Sequence, residues 1–174
     1  SVQSESKSKK KLSFVFVRDY KDSVVVNVLV ENNSEWMADP IFKDVSLLKD
    51  GTENYMATFS LPTDTSTWAM MINNQVGLDV KGEDHFEGVL TDGNTVIQIT
   101  EVDEWNDGKK GMVRGTIGYE FYAGGSSVAA VQASLDTFQK RIVWILQDID
   151  PNLQLILAAA SAAMMVRAQS TATE

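Results

Sequence analysis

Cysteine is absent from the chain, so no disulfide framework, thiolate nucleophile or Cys-ligated zinc can be built from it, and the redox compartment stays open. Histidine occurs once, at His85, and any imidazole-based triad or His-ligated metal would have to use it alone. Basic charge is also scarce: 15 Lys and Arg face 24 Asp and Glu, a formal net charge of -9. Such an acidic balance excludes general nucleic-acid binding, which needs a concentrated positive surface. No apolar segment near Ser1 resembles a secretory signal, and with no Met at the first position the expectation is that either a leader or the initiator Met was removed. The expectation is a soluble or peripheral protein, intracellular or organellar.

What is present is apolar residues enough for a real core, 44% of 174, without a repeat and without a signal for two domains. The first segment is the exception. Residues 1–11 combine serines with Lys7, Lys9, Lys10 and Lys11 and have only Val2 as an apolar residue, which predicts a loose basic tail able to touch an acidic partner or an anionic lipid surface. Residues 12–168 are expected to form a single domain, with a second loose tail over 169–174.

β-branched and aromatic runs punctuated by turn residues fill most of that domain. Leu12 to Val17 and Ser23 to Val30 predict a hairpin across Arg18-Asp19-Tyr20-Lys21-Asp22. Tyr55 to Leu61 predicts a strand stopped by Pro62; Thr67 to Ile72 and Gln75 to Val80 predict a second hairpin across Asn73-Asn74. His85 to Thr91 and Asn94 to Val102 flank Asp92-Gly93, and Met112 to Tyr122 alternates as one long strand in which Gly115 and Gly118 imply bending or close backbone approach. Residues 127–147 fit either one helical stripe or two strands, Val128 to Ala133 and Arg141 to Leu146; the Gly124-Gly125 turn and the β-rich Ile142-Val143-Trp144-Ile145 favour strands.

The run from Asp150 to Val166 has almost no polar face, only Gln154 and Ser161 interrupting it, so it predicts a helix hidden on nearly every side. It falls short of the roughly 20 apolar residues a bilayer span needs. Asp150 suits the N-cap and Pro151 the first turn. The alanines from Ala158 to Ala163 make a thin rod that a sheet can approach closely. The expected fold is therefore mainly β with one C-terminal helix: an antiparallel β-barrel wrapped around a buried hydrophobic helix.

The residues Tyr119-Glu120-Phe121-Tyr122-Ala123-Gly124-Gly125-Ser126-Ser127-Val128-Ala129-Ala130-Val131-Gln132, then Arg141 to Leu146, Asp148-Ile149-Asp150-Pro151 and the apolar helix, resemble the end of the tubby C-terminal-like superfamily, which includes the LURP-one-related proteins and the phospholipid scramblases. The resemblance covers about 50 of 174 residues. It implies a barrel of about twelve strands around a hydrophobic helix entered through an acidic turn, and a role in lipid or protein binding. It offers no position for a tubby-type phosphoinositide-binding Lys/Arg pair. The calcium loop described for scramblases would fall on Asp148 to Asn152, but Leu153 and Ala159 stand where an EF-hand loop has Gly and Glu, so capping is the better use of Asp150.

No catalytic signature emerges. Glu83, Asp84 and Glu87 beside His85, and Glu101, Asp103, Glu104 and Asp107, are carboxylate clusters of the kind that hold a divalent cation or a glycosidase pair, yet exposed acidic loops account for them equally well. Gly124-Gly125 lacks the Lys and Ser or Thr of a phosphate loop. The expectation is a non-enzymatic binding or structural protein with no cofactor and no metal, engaging a partner protein, a larger assembly or a membrane surface through Lys7, Lys9, Lys10, Lys11, Trp36 and Trp105. The alternatives are a barrel or sandwich with a cavity for an apolar small ligand, and a metal-assisted enzyme using the acidic loops. A barrel interior occupied by Leu155, Ile156, Ala159 and Met164 would separate the first from the second, since no lumen would remain.

Overall fold

β-rich segments joined by short turns pair with their sequence neighbours, and that rule generates nearly the whole architecture. The structure, a computed structural model, describes residues 9–31, 41, 45–47, 54–62, 66–73, 78–80, 87–102, 117–133 and 141–171. Among these are eleven strands and one helix: β1 (Lys9–Arg18), β2 (Asp22–Glu31), β3 (Val45–Leu47), β4 (Asn54–Ser60), β5 (Thr67–Ile72), β6 (Leu78–Val80), β7 (Gly88–Thr91), β8 (Val96–Val102), β9 (Gly118–Ala123), β10 (Ser126–Gln132), β11 (Val143–Ile145) and α1 (Pro151–Thr171). Nine strands form one antiparallel sheet in the order β1-β2-β4-β5-β7-β8-β9-β10-β11, and β3 pairs with β6 separately.

Helix α1 touches both ends of the sheet, β1 and β2 at one side and β10 and β11 at the other, so the sheet curls around it. No ladder joins β1 to β11 among the described residues. The described strands form a curled, nine-stranded half-barrel with the helix against its concave face, which matches the expected mainly β fold with one C-terminal helix; a count of about twelve strands and closure into a barrel are not seen among the described residues. The expected hairpin between Thr67 to Ile72 and Gln75 to Val80 is corrected. β5 pairs with β7, and β6 pairs with β3. β5 is buried on nearly all of its length, Met70 and Ile72 on one face and Ala69 and Met71 on the other, and β7, with four buried residues, is an equally buried neighbour within the sheet.

The concave face carries the core. Val24, Val26, Phe59, Met70, Leu90, Ile97, Ile99 and Phe121 close around Leu155, Ile156, Leu157, Ala159, Ala160, Ala163 and Met164 of α1, all buried. The helix has so little polar surface because almost every turn of it meets sheet. Gln154, Ala158, Ala162 and Met165 are only half-buried and recur every three to four residues, marking the one stripe that the half-barrel leaves uncovered. Asp150 caps the helix as expected: its Oδ1 accepts from the backbone N–H of Asn152 at 2.9 Å and of Leu153 at 3.0 Å.

Residues 127–147 contribute two strands, β10 and β11, paired antiparallel. Gly124 and Gly125 form the preceding turn at φ of +57° and +78°, a conformation other residues adopt at a cost. At Gly118 an added Cβ would overlap the Val131 carbonyl oxygen, the close approach that the sequence implies. The basic stretch expected to be loose through Lys11 becomes strand at Lys9, because Lys9, Lys10 and Lys11 pair with Glu31, Val30 and Leu29. At the other end, α1 continues to Thr171. Among the described residues no helix is long and apolar enough to cross a membrane.

Candidate interaction surface

Among the described residues α1 fills the concave face, which turns attention to the surface. Among the described residues the exposed large apolar side chains fall in two groups only. Leu12, Val15, Val17, Tyr20 and Val25 lie on the β1–β2 hairpin, and Ile142, Val143, Trp144 and Leu146 lie on or beside β11. These are the two terminal strands of the sheet, where unpaired backbone N–H and C=O groups make a template for further pairing. Val15 and Val17 are 57% and 51% exposed and Trp144 is 53% exposed.

The two groups are tied to the same point of the helix. Arg18, at the end of β1, donates through Nη1 to the Pro151 carbonyl at 3.4 Å and through Nη2 to Asp22 Oδ2 at 2.7 Å. Gln154, one turn on, donates through Nε2 to the carbonyls of Leu146 and Gln147 at 3.2 and 2.6 Å. The N-terminal turn of α1 is therefore held by both flanks of the gap.

The hairpin tip is strained. Asp19 and Tyr20 have φ of +51° and +58°, and Tyr20 is fully exposed. An aromatic residue in this region is a steric outlier, and such outliers concentrate where a fixed loop shape serves recognition. The signal for it in the sequence is the Arg18-Asp19-Tyr20-Lys21-Asp22 turn, which must reverse a tight hairpin without Gly or Asn.

The expected contact residues distribute unevenly. Lys9, Lys10 and Lys11 lie together at the far end of β1, and the side chains of Lys10 and Lys11 are exposed. Lys7, Trp36 and Trp105 lie outside the described residues, as do His85, Glu83, Asp84, Asp103, Glu104 and Asp107. Glu87 Oε2 accepts from the backbone N–H of Glu101 at 3.1 Å, so this pair is a structural contact. Among the described residues no group of carboxylates or imidazole could hold a metal ion.

At the opposite end of the helix, Tyr55 donates to the Ala163 carbonyl at 2.7 Å, Arg167 Nη1 donates to the Tyr119 hydroxyl at 2.6 Å, and the Arg167 guanidinium lies 5.6 Å from the Tyr55 ring centroid. Burial holds the Tyr55 hydroxyl protonated well above the usual tyrosine range, and the Arg167 charge offsets this only in part. On β9, the Tyr122 hydroxyl donates to Glu120 Oε2 at 2.6 Å, which raises the Tyr122 pKa. Both clusters use their polar atoms on each other.

Comparison with known proteins finds no matching family model, no matching characterised protein and no matching solved structure.

Proposed function

We infer that this chain is a non-enzymatic binding or structural protein of the tubby-like or scramblase-like kind, engaging a protein partner or larger assembly through the two unpaired ends of its sheet. The observation that carries this reading is that, among the described residues, the exposed large apolar side chains lie on the β1–β2 hairpin and on or beside β11. Strand addition at such an end draws its affinity from backbone hydrogen bonds and its specificity from alternate side chains, here Val15, Val17 and Tyr20 on one flank and Trp144 on the other. The occupied concave face supports binding over an internal ligand site, and a metal-assisted reaction draws no support from the described carboxylates.

Light scattering on the native material tests it. Wild type is expected to run as an assembly larger than one chain, and the pair Val17→Lys with Trp144→Lys to run as a single chain with an unchanged circular dichroism spectrum. Equal masses for the two would remove the sheet ends from the account. A membrane surface is the second reading, favoured by Lys9, Lys10 and Lys11 adjoining the exposed hairpin. Co-sedimentation with anionic vesicles that persists unchanged after deletion of residues 1–11 would dismiss the basic contribution.

A further inference from the structure

On the convex face of the sheet, away from the helix, a groove of about 260 Å³ opens between β1, β2, β4 and β5. Register explains its make-up. Lys11 pairs with Leu29 and Leu29 with Met56, one row across the sheet; Ser13 pairs with Asn27, Asn27 with Thr58 and Thr58 with Ala69, the next row. Adjacent rows on one face therefore give an apolar floor of Leu29, Met56 and Ala69, 7%, 3% and 3% exposed, beside a polar rim of Lys11, Ser13 and Asn27.

We propose that this groove is a binding site for a single-chain amphipathic carboxylate, the class of a medium-chain fatty acid. Charge selects the head group. The described lining contains one cation, Lys11, and no acid. Ser13 donates to Asn27 Oδ1 at 2.7 Å, which occupies the acceptor of that amide and leaves its Nδ2 donors as the polar complement. A cation plus amide donors fits an acceptor-only group such as a carboxylate. The apolar floor selects an aliphatic tail, and a volume of about 260 Å³, below the roughly 300 Å³ at which drug-sized sites begin, keeps the ligand small. Leu29 and Met56 offer it a deformable apolar bed.

The groove shares β1 with one sheet end through Lys11 and Ser13, so ligand binding is read at Met56 on β4, by itself, on the full chain. Decanoate, below its micellar concentration, is titrated against protein carrying ¹³C-methyl methionine, with decanol and hexanoate as controls. The Met56 methyl resonance is expected to shift, each methylene added between hexanoate and decanoate to tighten binding about fourfold, and Lys11→Met to weaken decanoate about tenfold while leaving decanol unchanged. Equal affinity for decanoate and decanol, a Lys11→Met variant with wild-type affinity for decanoate, or a Met56 signal that does not move would each overturn the assignment. A shift seen only with phospholipid vesicles would overturn it in favour of a membrane contact.

Discussion

Tyr20 and Tyr55 sit at opposite extremes of exposure and fail for opposite reasons when changed. Tyr20 holds a left-handed backbone that costs an ordinary residue about 1 to 2 kcal/mol. Tyr20→Gly is expected to raise stability by about 1 kcal/mol in urea denaturation while weakening partner engagement, because the exposed ring is what the strain presents. Tyr55 is the reverse case. Its folded hydroxyl keeps the proton above the usual value near 10, where the unfolded chain loses it. The unfolded state then binds fewer protons, so stability is full below about pH 10 and falls as pH rises further, at up to about 1.4 kcal/mol per unit. Denaturation midpoints between pH 9 and 11 should show that slope, and Tyr55→Phe should flatten it. Asp150→Ala removes an acceptor of two helix N–H groups and is expected to cost about 1 kcal/mol.

Helix α1 is the element on which the sheet depends. Leu157 is fully buried, and Leu157→Asp is expected to abolish the cooperative melt, since an unpaired charge there costs several kcal/mol. A thermal transition near that of wild type would refute its central position. The helix was legible from its missing polar face and from Asp150-Pro151, because a rod without a wet side must be enclosed. The hairpins were legible where the turn residues are unambiguous: Asp92-Gly93 between β7 and β8, Gly124-Gly125 between β9 and β10. Where Asn73-Asn74 invites a hairpin just as well, β5 instead takes β7, since local turn chemistry does not decide which segment supplies the neighbouring backbone ladder. The groove was illegible for a related reason. Lys11, Asn27 and Met56 meet only through two inter-strand registers, and register belongs to no single segment.

At the scale of the whole molecule, the nine-stranded sheet among the described residues curls around the helix, which touches both of its ends. Rising ionic strength is expected to leave assembly through the apolar sheet ends intact but to weaken any contact made by Lys9, Lys10 and Lys11, because exposed charges are screened within about 8 Å at physiological salt. Light scattering and vesicle co-sedimentation in parallel salt series would separate the two contributions. The order of elements along the chain adds a kinetic side. All eleven strands precede α1, so a polypeptide that has not yet extended past Asp150 has a greasy trough and nothing to lay in it. The sheet's apolar side is thus finished by a segment encoded after every described strand it covers.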